Sequence, residues 1–79
     1  MPGFVYILVS ACGTRTYVGW TNDLERRLAA HNAGQGARST RGRQWRIAYA
    51  ERCDGRIEAM RREWALKRDR KMRARVRGA

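Results

Sequence analysis

Apolar and polar positions fall in short blocks along this chain, and the blocks predict a β-β-α-β-α order. The runs Phe4-Val5-Tyr6-Ile7-Leu8-Val9 and Thr16-Tyr17-Val18-Gly19-Trp20 are rich in β-branched and aromatic residues, as strands are. Ser10 to Arg15 is polar and carries Gly13, so the two runs read as an antiparallel hairpin. Thr21-Asn22-Asp23-Leu24-Glu25 opens a helix, with Asn22 as its cap and Glu25 reaching back to complete a capping box. That helix runs to about Ala33, and Gly34 is its natural C′ residue. After a polar, glycine-bearing loop from Gln35 to Arg43, the segment Gln44 to Glu51 alternates. Trp45, Ile47 and Tyr49 share one side of it, which predicts a half-buried strand. Asp54-Gly55 punctuates, and a second helix begins near Arg56 or Ile57, passes Lys67 and leads into a basic helix or tail over about 68–79.

The two helices carry polar residues on faces that should be buried. At about 100° per residue, Leu24, Leu28 and His31 form one stripe with Arg27 beside it, while Arg26 points elsewhere. A border Arg can snorkel, and a lone His can bond a backbone carbonyl. Paired one turn apart on one face, they are equally candidates for a site. On the later helix Ile57, Met60 and Trp64 predict the apolar stripe, widened by Ala59 and Leu66, and Glu63 projects from it towards the protein. A carboxylate there needs either an Arg partner or a cation. Mg²⁺, which takes one or two carboxylates and keeps several waters, is the hard cation that suits it.

Size and charge narrow the class. With 79 residues the chain is one small domain over 1–79, whose core should lean on Trp20, Trp45 and Trp64. Cys12 and Cys53 show no metal-ligand or CxxC spacing, and no apolar stretch approaches the roughly 18 residues of a membrane span. A cytoplasmic protein with reduced thiols and no membrane contact is the expectation. Lys and Arg number 18 against seven acids, a formal charge of +11, and the partner this implies is a polyanion, foremost a nucleic acid.

Phosphodiester hydrolysis would use these parts. A tyrosine can act as base or orient water, an Arg can fork onto phosphate oxygens, and a carboxylate can hold a metal that stabilises the leaving oxygen. Tyr6, Tyr17, Arg27 and Glu63 supply these parts, with His31 beside Arg27 on the same helix face.

The chain resembles the GIY-YIG nuclease superfamily. Val5-Tyr6-Ile7 followed by Tyr17-Val18-Gly19 looks like its signature, and Leu24 to Asn32 looks like its first helix, with Arg27 at the catalytic arginine. Gly36-Ala37-Arg38-Ser39-Thr40 and Trp45 resemble the following loop and third strand, and Arg62 to Lys67 the helix of the metal-binding glutamate. The resemblance spans nearly the whole chain and is closest to short stand-alone bacterial members and to the catalytic domain of structure-specific flap and junction nucleases. It implies a small α/β (α+β) domain with a three-stranded, mostly antiparallel sheet flanked by helices. It also implies a DNA endonuclease dependent on a single Mg²⁺ or Mn²⁺, acting on branched, nicked or damaged DNA in repair or recombination. Tyr17 would be the general base or water-orienting phenol, Tyr6 its support, Arg27 the phosphate ligand, His31 a neighbour of both and Glu63 the metal ligand. Arg15, Arg27, Arg38, Thr40, Arg41 and Lys67 are the expected nucleic-acid contacts, with a protein partner able to add substrate choice. Where some members carry a lysine after the second glycine, this chain has Trp20, free either to stack on a base or to fill the core. The alternative from another class is a catalytically silent nucleic-acid-binding module, for DNA or RNA, using the same basic surface.

Overall fold

A computed structural model describes residues 2–78. Its strands are β1 (Gly3–Ser10), β2 (Thr16–Thr21) and β3 (Trp45–Cys53), and its helices α1 (Leu24–Asn32), α2 (Arg56–Arg68) and α3 (Arg70–Arg77). A 3-10 turn, Arg38–Thr40, lies between α1 and β3. The sheet is antiparallel throughout in the order β2-β1-β3, so the most apolar strand takes the centre. The hairpin closes as expected: the Ser10 amide donates to the Arg15 carbonyl at 3.0 Å, and Gly13 turns with φ 77°.

Because successive strand residues face opposite ways, β1 serves two cores. Val5 and Ile7 pack with Val18, Cys53, Ala59, Leu66 and Val76 beneath α2 and α3. Tyr6 and Leu8 pack with Trp45, Tyr17, Leu24 and Leu28 beneath α1. The tyrosines thus belong to the α1 face. Trp20 packs against the α2 and α3 cluster, filling core rather than the tyrosine cleft.

Four expectations are corrected. The alternation of β3 breaks, because Ile7 pairs with Tyr49 but Leu8 with Ile47, a bulge that leaves Ala48 extra. Trp45 and Ile47 consequently face α1, whereas Tyr49 faces α2. On α2 the buried residues are Ala59 and Leu66, while Ile57, Met60 and Trp64 are 67%, 45% and 61% exposed. Small Ala59 lets the helix approach β1 closely, and the larger apolar residues are rotated outward. Trp64 is therefore no core residue; Arg68 lies over its ring at 4.1 Å. The cap of α1 is Asp23 rather than Asn22, its carboxylate accepting from the Arg26 amide at 3.1 Å. The basic C-terminal stretch is helical, with Asp69 capping α3 through the Met72 amide at 3.0 Å.

Candidate active site

His31 organises the tyrosine face. It is fully buried near the C-terminal end of α1, and both ring nitrogens are engaged. The Tyr6 hydroxyl lies 2.9 Å from Nε2, and the Thr40 hydroxyl 2.8 Å from Nδ1. Thr40 donates its single proton to the Ala37 carbonyl at 2.8 Å. It can therefore only accept from His31, which makes Nδ1 the protonated nitrogen and Nε2 the acceptor of the Tyr6 proton. One order of donors runs from Tyr6 through His31 and Thr40 to the backbone of the loop. Burial lowers the His31 pKa, and the Arg27 guanidinium lowers it further, so the neutral imidazole that this order requires is the favoured form.

Local backbone makes this packing possible. Gly19 pairs across the strands with Tyr6, and a Cβ there would stand 2.6 Å from the Tyr6 oxygen and 3.0 Å from the Tyr17 ring. A Cβ on Gly36 would likewise run into the His31 ring. Only glycine leaves space at these two points. The loop carrying Thr40 is pinned on its other side, where Trp45 Nε1 donates to the Thr40 carbonyl at 2.9 Å. Asn32 grips the start of β3 twice, accepting the Trp45 amide at 2.6 Å and donating to the Trp45 carbonyl at 3.1 Å.

Tyr17 is half-buried, its ring 4.9 Å from that of His31 and 6.4 Å from that of Tyr6 between centroids. Burial pushes the Tyr6 phenol up to about 12, and Arg27 offsets part of this. The Tyr17 and Glu63 charges push the Tyr6 phenol the same way as burial. Tyr6 therefore keeps its proton near neutrality, and Tyr17, Arg27 and Glu63 all act electrostatically at one phenol although they come from β2, α1 and α2. Arg27 is half-buried and Arg26 exposed, matching the helical phase read from sequence.

Glu63 sits on the inward stripe of α2 between the buried Ala59 and Leu66. Its side chain is 22% exposed, and its charged neighbour, Lys67, is 3.7 Å away. That pair is too long for a hydrogen bond and leaves the carboxylate oxygens available. No cluster of three or more His, Cys, Asp or Glu exists among the described residues. A lone, partly exposed carboxylate suits an ion that keeps most of its water, as Mg²⁺ does.

The remaining expected contacts divide. Arg15, Arg38, Arg41 and Lys67 are exposed. Thr40 is not available to a nucleic acid: it is fully buried, and its hydroxyl is committed to His31 and Ala37. Gly36 and Asn32, read from sequence only as part of the loop and helix, prove to position the site. Only their places in the segments that resemble the family, Leu24 to Asn32 and Gly36 to Thr40, drew attention to them.

The profile of the GIY-YIG catalytic domain matches residues 2–75. This chain belongs to the GIY-YIG family. Membership places it in a nuclease superfamily whose members are generally divalent-metal dependent. Among curated proteins it is similar to a UPF0213 protein of Halobacterium salinarum, 47% identical over 64 residues, or 80% of this chain and 82% of the relative. A UPF0213 protein of Streptococcus agalactiae is 41% identical over 68 residues, 85% of this chain and 76% of the relative. The solution NMR structure of a UPF0213 protein from Bacillus halodurans superposes with a TM-score of 0.55 at 36% identity, covering 96% of this chain and 82% of that one. The small GIY-YIG domain is thus a fold shared with stand-alone relatives. No helix among the described residues is long and apolar enough to cross a membrane.

Proposed function

We propose that this GIY-YIG protein is a DNA endonuclease that hydrolyses phosphodiester bonds with a single divalent metal ion, Mg²⁺ or Mn²⁺, and acts on branched, nicked or damaged DNA. The observation that carries the reading is the buried Tyr6–His31 hydrogen bond with the Tyr17 ring beside it, and the electrostatic pull of Arg27 and Glu63 on the Tyr6 phenol supports it. In this reading Arg27 forks onto the scissile phosphate and neutralises charge that grows as water attacks. Tyr17, the more accessible phenol, orients that water or takes its proton. The water oxygen bonds to phosphorus, the bond from phosphorus to the departing sugar oxygen breaks, and that oxygen gains a proton. Tyr6 stays protonated and fixes one wall of the cleft, held by His31 and Thr40. Glu63 is the residue that would hold the metal, which when bound would stabilise the departing oxygen.

Glu63→Gln tests this reading. The substitution keeps shape and removes the charge a divalent ion needs, so cleavage of flap, nicked and four-way DNA in Mg²⁺ or Mn²⁺ should fall by orders of magnitude. Duplex binding should persist. Undiminished cleavage per folded molecule rejects the metal-ligand role. In parallel, Arg27→Ala should abolish cleavage with little loss of binding, while Arg26→Ala spares cleavage. Equal loss in both variants would refute the role of Arg27.

A further inference from the structure

Arginines on the outer face of α3 enclose a second cationic cleft, away from the tyrosines. Arg70, Arg73 and Arg77 recur at helical spacing on one side of α3, beside the stripe of Met72 and Val76 that packs on the core. With Ala74 and with Thr16 at the start of β2 they line a cleft of about 310 Å³. Arg77 is drawn across it, donating to the Thr14 carbonyl at 3.5 Å and tying α3 to the hairpin.

This cleft has two features that an ordinary solvated basic face lacks. The Nε of Arg73 is buried and has no hydrogen-bond partner, an unmet donor of the kind that natural proteins seldom leave. Among the described residues no acid forms an ion pair with any of the three either. The two ion pairs among the described residues are Arg62–Glu51 and Lys67–Glu63, and Asp69, which caps α3 through one carboxylate oxygen, is in neither. Three guanidinium groups, one of them with an unmet N–H, and a Thr hydroxyl form a donor-rich pocket, and its complement is an oxyanion with several acceptor oxygens.

We propose that Arg70, Arg73, Arg77 and Thr16 form a second phosphate-binding site, holding a backbone phosphodiester of a nucleic-acid strand at a distance from the scissile one. That the phosphate is a nucleic acid's rests on the endonuclease reading above; the donor pocket does not. The placement favours a backbone phosphate. Thr16 and Tyr17 are neighbours on β2, the edge strand, and adjacent strand residues face opposite sides. The arginine cleft and the Tyr17 face therefore flank one sheet edge. A backbone bound at both would pass around that edge, as one arm of a bent or branched substrate can and a short straight duplex does not.

The test uses the full-length chain in EDTA, so that binding is read without cleavage. Arg70→Gln/Arg73→Gln/Arg77→Gln is compared with Arg46→Gln/Arg52→Gln/Arg56→Gln, which removes the same charge from exposed positions elsewhere. Affinity for a labelled four-way junction and for a duplex is titrated against salt. The α3 variant should lose several-fold more junction affinity than the control, with the slope of log affinity on log salt falling by about 1 for each phosphate no longer held. The Arg73 Nε–H resonance of ¹⁵N-labelled protein should shift on adding the junction. Equal losses in the two variants, an unmoved Arg73 resonance, or a response to inorganic phosphate without one to DNA would each overturn the proposal. If the triple variant fails to fold, Arg70→Gln/Arg77→Gln keeps Arg73 and alters only exposed side chains. Wild-type protein that binds junctions through α3 yet cleaves nothing in Mg²⁺ or Mn²⁺ would reject the endonuclease reading and leave this site standing.

Discussion

The proton of Thr40 goes to the Ala37 carbonyl, and that commitment sets the protons of His31 and Tyr6 in turn. Thr40→Val keeps the volume but leaves the Nδ1–H of a buried ring without an acceptor, at a cost of about 1–3 kcal/mol. Melting temperature and cleavage should both fall, the ¹⁵N imidazole spectrum should lose its single tautomer, and Thr40→Ser should restore all three. Loss of cleavage that Ser fails to rescue would refute the role. The same ring gives stability a pH dependence. The folded-state pKa of His31 lies below its ordinary 6.5, so in the window beneath 6.5 the unfolded chain binds the proton first. The stabilisation is thus present above about pH 6.5 and is lost as pH falls through the lower, folded-state value. Melting temperature should decline on acidification, and His31→Asn should flatten that part of the profile. Gly19→Ala sets a methyl against both tyrosines and should cost about 1–3 kcal/mol. It should also depress cleavage beyond the loss of folded protein, measured as activity per folded molecule.

Among the elements, β3 and α2 show how local pattern and packing part company. Period-two reading puts Trp45, Ile47 and Tyr49 together, yet the bulge opposite Ile7 and Leu8 sends Tyr49 to the other core. Its hydroxyl there donates to Glu51 at 3.1 Å, which also accepts from Arg62 Nε at 2.7 Å. Along α2 the widest apolar stripe in sequence is the outward one. Leu66→Ala should therefore cost about 2–5 kcal/mol, whereas Ile57→Gln should change stability by no more than about 0.5 kcal/mol. Chemical denaturation of the two variants checks the helical phase, and a costly Ile57→Gln would contradict it. The same phase puts Glu63 inward.

At the scale of the whole molecule, the sheet separates two layers of different use. The α1 side holds Tyr6, Tyr17, His31 and Arg27, while the α2 and α3 side holds most of the aliphatic core. A charge of +11 surrounds both. Binding to any duplex should be governed by counterion release, with log affinity falling linearly and steeply against log salt. A flat dependence between about 50 and 200 mM salt, the range over which several phosphate contacts are felt, would remove nucleic acid as the partner.

The sequence by itself determined the order of elements, the hairpin, the Gly34 ending of α1 and the phase of Arg27 over Arg26. All of these depend on contacts within one turn or one strand pair, where chain geometry links neighbours directly. The two-tyrosine signature and its match through the helices also made the family legible. Tertiary structure alone decided what crosses the sheet. The β3 bulge, the burial of small Ala59 in place of Ile57 and Trp64, and the turn of Trp20 towards the aliphatic core depend on how closely separate elements approach. So does the chain from Tyr6 through His31 and Thr40 to Ala37, because residues far apart in sequence set each other's protons only once the loop folds over α1. Periodicity along one element cannot register such pairings.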